Sequence, residues 1–372
     1  MFKKFADLFT RSRGGGVVLG SGRAAWMPAR YDSYAREGYA QNVYVYACIK
    51  KIAGACAGIP WRVMRVTTDG PVEDANCRAA RIISHPQPGE SWTRLIEETV
   101  TMLLISGNAY LHDVKPGREI YSLQPNQVEI IAGDTFFSVA GYRYRNGDET
   151  FEFAPHEILH LKTVNPLDSW IGLPALSAAS RSVDQNNAGR AWNVALLQQS
   201  ARPSGILSTN EYLTDRQIDD MRRTLRESYS GATNAGTPLV LQGGLKWEKV
   251  SLTPDDMAWQ EGMTMSAREI CIAFGVPPEM LGDNGAKTYS NYREARRSFY
   301  LETVLPLLDW LSDELTRWLG STFGTEKYIF TYHPDKIEAL QEDREKLWTR
   351  TIEAVKAGVI ERDEARKMLE IN

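Results

Sequence analysis

Apolar residues recur every three or four positions at Trp259, Met263, Ala267, Ile270 and Phe274, which predicts a helix with one apolar stripe. Thr253 stands at the N-cap, Pro254 at the first helical position, and Asp255 and Asp256 in the first turn, all residue types that a helix start favours. Gly275 and then Pro277-Pro278 stop it. About 21 residues at roughly 1.5 Å each make a rod near 30 Å long. The loop at 276–290 carries Gly282, Asp283, Asn284 and Gly285 and is expected to be mobile. A second helix opens on the capping box Asn291-x-x-Glu294, runs to about Leu319 and is expected to kink at Pro306. Beyond Leu301 it reads as apolar on nearly every side, through Val304, Leu305, Leu307, Leu308, Trp310, Leu311 and Leu315. Such a helix is buried all round, and neighbouring subunits are expected to supply part of the cover.

The same reading covers the rest of the chain. Residues 1–38 are expected to be a loose arm: Phe2, Phe5, Leu8 and Phe9 fit a short amphipathic helix, and 11–36 is rich in Gly and Arg. This arm is read either as a docking segment for a neighbouring subunit or shell, or as a solvated tail. Asn42 to Gly58 reads as a helix with Val45, Cys48, Ile49, Ile52 and Cys56 on one face, followed by a strand from Ile59 and a turn at Asp69-Gly70. Ser91 caps a helix ending at Gly107. Two hairpins follow, one around Pro116-Gly117 and one with Asn146-Gly147 as its turn. A helix of about 40 Å starts at Pro174 and is lined by Ala, Ser, Asn and Gln, a surface suited to close side-by-side packing. A strand at Gly205–Ser208 leads to a helix with a Thr214-x-x-Gln217 capping box, then strands at 238–241 and 245–250 joined by Gly243-Gly244. After Gly320 come a strand at 328–332, a helix capped by Asp335-x-x-Glu338 and ending at Gly358, and a short helix from about Arg362. The fold class is α+β.

At 372 residues the chain is long for one core, and two or three subdomains are expected. The net charge of −4 argues against a protein that grips nucleic acid over a large surface. Four cysteines without a CxxC pair read as buried, reduced thiols of a cytosolic protein. The chain has no run of eighteen apolar residues, so no membrane-spanning helix is expected, and the N-terminus lacks the apolar core of a signal peptide.

Candidate chemistry is sparse. His156-Glu157-Ile-Leu-His160 matches the zinc-hydrolase pattern H-E-x-x-H, in which two histidines on one helix face hold the metal and the glutamate is general base. Against it, Pro155 and Pro166 leave room for barely two turns, and the residues alternate as a strand does, with Ile158 and His160 on one side and Leu159 and Leu161 on the other. No third ligand sits at a familiar spacing. The Gly-rich run 14–22 lacks a strand–helix setting and a following Lys, and no phosphate-binding loop for ATP is present. Arg293, Arg296 and Arg297 share a helix face, read either as a basic surface or as salt-bridge partners of acids such as Glu294 and Glu302. Arg222, Arg223 and Arg226 lie in a charged helix whose face is either solvated or a docking surface.

The run from Glu269 through Phe274-Gly-Val-Pro-Pro-Glu-Met-Leu-Gly282, then Thr288-Tyr-Ser-Asn-Tyr292, then Phe299 to Pro306, resembles the portal protein family of long-tailed bacteriophages, including related phage-like particles. The resemblance extends over roughly 39–371. It implies an arm at 1–38, a wing at 39–172, a first stem helix at 173–202, a clip at 203–252, a second stem helix at 253–275 and a channel loop at 276–290. A kinked long helix with a wing return strand would follow at 291–334, and a small crown-like helical region at 335–372. The implied function is a closed homo-oligomeric ring, of twelve subunits, at one capsid vertex, conducting double-stranded DNA during packaging and ejection. No catalysis and no cofactor are implied. Asp283, Asn284, Lys287, Thr288 and Tyr289 would form the DNA-channel loop, and Arg293, Arg296 and Arg297 would face DNA or the next subunit. Arg222, Arg223 and Arg226 would dock partners at the clip. Implied partners are the terminase large subunit, a head–tail adaptor protein and the major capsid protein, with no membrane. The implied location is the virion, and the host cytoplasm during assembly. A near-neutral to acidic chain suits a channel in which DNA must slide, since each phosphate contact adds friction.

Overall fold

The computed structural model describes residues 27, 30–135, 138–198, 205–208, 214–229, 246–249, 259–282, 289–323, 327–341 and 344–368. The first long element is α1 (Val43–Gly58), capped by the Asn42 side chain, which accepts from the N–H groups of Tyr44 and Val45 at 3.0 and 3.2 Å. Its predicted stripe, Val45, Cys48, Ile49, Ile52 and Cys56, is buried throughout. Strands β1 (Trp61–Thr67) and β2 (Gly70–Glu73) form a hairpin. Helix α2 (Trp92–Ser106) is capped by Ser91 at one end and by Gly107, φ 74°, at the other. Strands β3 (Asn108–Lys115) and β4 (Glu119–Leu123) pair as predicted, with Gly117 at φ 69° and its N–H held by the Asp113 carboxylate. A meander of β5 (Val128–Ala132), β6 (Val139–Asn146) and β7 (Glu149–Phe153) follows, and β8 (Ile158–Lys162) returns to pair with β3.

The long helix is α3 (Ala175–Gln198). Strand β9 (Gly205–Ser208) pairs antiparallel with β10 (Lys246–Lys249), and between them lies α4 (Asp215–Tyr229), opened by the reciprocal Thr214–Gln217 box. Helices α5 (Trp259–Phe274), α6 (Tyr289–Phe299) and α7 (Leu305–Gly320) follow. Strand β11 (Tyr328–Tyr332) then pairs antiparallel with β1, so the C-terminal third closes the sheet begun near residue 61. Helices α8 (Arg344–Lys356) and α9 (Arg362–Met368) end the described chain. One main core gathers buried residues of α1, α2, α3, α5 and α7, and a smaller one holds Tyr110, Leu123, Tyr142 and Ile158. All four cysteines are buried thiols outside any disulfide, and Cys48 of α1 meets Cys271 of α5. Among the described residues no helix is long and apolar enough to cross a membrane.

Several expectations change. The arm does not extend to residue 38: helical turns span Tyr31–Ser33 and Tyr34–Ala40, Tyr34 and Gly38 are buried, and a Cβ on Gly38 would press within 2.7 Å of Leu176. The rest of the arm, residues 1–26, lies outside the described residues, as do the cap at 253–256 and the strand at 238–241. The hairpin turn sits one residue later than read, at Gly147-Asp148, because Asn146 still pairs with Glu149. Asn291 is not a cap, since α6 has already begun at Tyr289; the cap-competent run Thr288, Ser290, Asn291 offers three starts that pattern cannot rank. The strain of Pro306 is taken up by a π-helical turn, Tyr300–Val304, where the Leu305 N–H reaches back to the Tyr300 carbonyl. Within one chain, 301–319 is buried along a single stripe of Val304, Leu308, Leu311, Leu315 and Leu319, and Leu301 is 46% exposed, on a side where the expectation put neighbouring subunits. Asp335 caps no long helix, because Ile337 takes an extended conformation to bury its side chain, leaving two 3-10 turns before α8.

Candidate functional site

The predicted region centres on α3 and α5, which lie antiparallel. Ser182 donates to the Glu269 carboxylate at 2.6 Å, and four residues on along α3 Asn186 Nδ2 donates to Ser266 Oγ at 3.2 Å, nearer the start of α5. Leu176, Ala179, Val183 and Asn186 form the buried stripe of α3, and Ala267, Ile270, Cys271 and Phe274 that of α5. Small side chains let the two backbones approach, and a Cβ on Gly262 would sit 3.4 Å from Gln185 Nε2. Asn186 is fully buried, which is tolerable because both ends of its amide are hydrogen-bonded. Its Oδ1 accepts from Asn42 Nδ2 at 3.2 Å and from Arg190 Nε at 3.1 Å. Asn42 also donates to Asn187 Oδ1 at 2.9 Å, and Asn187 Nδ2 donates to the Glu37 carbonyl at 2.9 Å. One residue, Asn42, therefore caps α1 and clamps α3. Sequence reading caught the amides of α3 as packing residues and missed the network; the signal was two consecutive amides inside a helix of small residues.

Helix α5 ends in a Schellman motif: Val276 N–H donates to the Cys271 carbonyl at 2.9 Å and Gly275 N–H to Ile272 at 3.0 Å, with Gly275 at φ 67°. The first half of the expected mobile loop is anchored. Val276 is buried, Pro278–Leu281 forms a 3-10 turn packed on the main core, and Thr303 Oγ1 donates to the Gly275 carbonyl at 2.6 Å. Asp283, Asn284, Lys287 and Thr288 lie outside the described residues, and Tyr289 is the first residue of α6. Arg293 and Arg297 are exposed on α6. Arg296 pairs with Glu338 at 3.0 Å, and that carboxylate raises its pKa. Arg222, Arg223 and Arg226 lie on α4, and Arg223 pairs with Asp220 one turn away at 2.7 Å.

The zinc motif is absent as a site. His156 lies in a turn and His160 in β8, so no helix turn stacks the two on one face. His160 faces the smaller core, stacked on Tyr110 with centroids 4.4 Å apart, while Leu159 and Leu161 face the main core. Burial lowers its pKa to about 4. Its Nε2 lies 3.0 Å from Asn108 Oδ1, which also accepts the Gly172 N–H at 2.9 Å, so the imidazole donates there. Glu157 accepts the Ala154 N–H at 2.7 Å, a turn contact. Among the described residues no group of three or more His, Cys, Asp or Glu is placed to hold a metal.

The sequence pattern of the phage portal protein family matches residues 44–370. The portal protein of Enterobacteria phage HK97 is 25% identical over 282 residues, covering 74% of this chain and 66% of that protein. A chain in the neck of an empty gene transfer agent (GTA) particle, computed with C6 symmetry, superposes with a TM-score of 0.68 at 34% identity, over 95% of this chain and 96% of that one. A chain in the neck of a native GTA particle, computed with C12 symmetry, gives 0.66 at 33% identity over the same shares.

Proposed function

The chain belongs to the phage portal protein family, and from that premise we propose that it is one subunit of a closed ring, of twelve copies, in the neck of a tailed-phage or phage-like particle. The ring would form a channel for double-stranded DNA, with α3 and α5 as stem helices, 203–252 as clip, 39–172 as wing, and 276–290 as channel loop. The observation that carries this reading is the antiparallel α3–α5 pair leading into a glycine-terminated loop, on a chain 34% identical to a subunit of a particle neck. The role is geometric, not catalytic. Terminase large subunit would supply ATP hydrolysis, docking with the head–tail adaptor at the clip, where Arg222, Arg223 and Arg226 are the proposed contacts. The major capsid protein would hold the wing. The protein would thus sit at the capsid portal vertex, after assembly in the host cytoplasm.

In this reading the DNA-meeting part of the loop would be 283–289, since 276–282 is anchored. Asp283, Asn284, Lys287, Thr288 and Tyr289 would then meet DNA, with Arg293 and Arg297 behind them. Shortening 283–288 is expected to leave rings intact by native mass spectrometry while packaged DNA is lost or poorly retained. Wild-type DNA retention in that variant would remove the valve role.

A further inference from the structure

An apolar cleft of about 730 Å³ opens between the helical entry turns, the meander and the loop before α3. Tyr31 and Tyr34 form one wall, Val128 and Ile130 a second, Trp170 and Ile171 a third. Its size is that of a small-molecule site, but the convergent polar groups that orient a ligand are already engaged. Ser106 Oγ donates to the Asn108 carbonyl at 2.6 Å and accepts the Asn108 N–H at 3.0 Å. The Asn108 side chain serves Ser106, His160 and Gly172, and Glu129 is bridged by Arg143 and Arg145. The cleft fits apolar side chains. Its rim continues into a rigid loop in which Val164 and Leu167 stand 91% and 87% exposed. Asn165 Oδ1 accepts the Leu167 N–H at 3.0 Å and Asp168 Oδ1 the Trp170 N–H at 2.7 Å, fixing that loop.

A second copy is a poor occupant. The exposed loop and the cleft share one rim, whereas the contact that closes a ring joins two different faces. The chain itself carries a better one. Phe2, Phe5, Leu8 and Phe9 recur at helical spacing and match in kind a cleft walled by Tyr31, Tyr34, Val128, Ile130, Trp170 and Ile171. The continuous described chain begins at Arg30, directly before Tyr31 of the cleft wall, and upstream of it the Met27 N–H donates to Asp184 at 2.9 Å. From Phe9 to Met27 the chain can span at most roughly 60 Å, and Gly14-Gly15-Gly16, Gly20 and Gly22 permit it to reverse. We propose that residues 2–9 of the same chain fold back and seat Phe2, Phe5, Leu8 and Phe9 in this cleft. The assignment does not depend on ring formation.

Full-length protein carrying Phe5→Cys and Ser177→Cys tests it. Diamide would oxidise the two thiols to a disulfide and be reduced to the hydrazine. The expected product is a chain of unchanged mass on a non-reducing gel, with residues 5 and 177 joined in its peptide map. No link, or a link only between chains in a mixture of the two single variants, overturns the proposal. A second readout is hydrogen exchange of Phe5→Asp/Phe9→Asp. Protection at Val128–Ala132 and at 170–177 should be lost, and unchanged protection at both would equally overturn it.

Discussion

At the scale of single residues, His160 shows how one environment selects among chemistries. An imidazole stacked on a tyrosine ring inside an apolar cluster resists protonation, so it is held neutral far below its ordinary range. The unfolded chain, with an ordinary histidine, binds a proton below pH 6.5 that the folded chain refuses until about pH 4. Stability from this residue is therefore complete above pH 6.5, falls as the pH drops towards 4, and is level below it. The total is about 3 kcal/mol at most. His160→Phe should cost stability at pH 7.5 and recover much of that difference at pH 4.5; equal differences in urea midpoint at both values would show that His160 does not titrate as described. The strand that decides its fate was legible in the sequence, since apolar residues alternate around it. Asn108, its partner, was not. A buried asparagine that joins β3, β8 and the Gly172 loop lies 52 and 64 residues from His160 and Gly172, and no local pattern carries such a link. Asn108→Ala strands the Gly172 N–H and should destabilise by about 1–3 kcal/mol in chemical denaturation.

At the scale of elements, glycines that look alike in sequence are separated by geometry. Gly275 holds a left-handed conformation in the Schellman motif, and a Cβ there would fall 2.7 Å from Thr303 Oγ1. Gly54 is exposed in the middle of α1, and a Cβ there meets nothing within 4 Å. Gly275→Ala should lose about 1–2 kcal/mol and loosen the junction of α5 with the loop. Gly54→Ala should gain about 0.5–1 kcal/mol from helix propensity alone. Thermal melts of the two variants check the opposite signs. Caps and stops written in adjacent residues, such as Asn42, Ser91, Thr214 and Gly275, were legible for that reason. Element starts that depend on distant burial were not. Ile337 leaves the helix that Asp335 and Glu338 would open because the core takes its side chain, and the irregularity expected at Pro306 takes the form of a π turn just before it.

At the scale of the whole molecule, the apolar residues left uncovered bear on assembly. On α5, Ile270 is fully buried while Ile272 is 72% and Met265 59% exposed, two turns apart on the outer face. Leu301 stands 46% exposed on the π turn that follows α6. A ring subunit presents the same two faces to its neighbours at every junction, so a side chain worth about 1.5–3 kcal/mol when buried counts once per contact around the circle. An aspartate at that position loses this term and must also shed water from its charge, and each 1.4 kcal/mol is tenfold in the association constant of every junction. Ile272→Asp should therefore leave the fold of the single chain within about 0.5 kcal/mol of wild type, because the described residues leave most of its side chain uncovered. It should also abolish the particle of about 500 kDa that twelve chains of 41.8 kDa would form. Ile270→Asp, two residues back and on the opposite, buried side of the helix, should instead unfold the chain. Native mass spectrometry with a parallel thermal melt separates the two effects. A ring of unchanged mass with Ile272→Asp would move this face from the junction to the tunnel wall, where an added carboxylate would change DNA passage and leave assembly untouched.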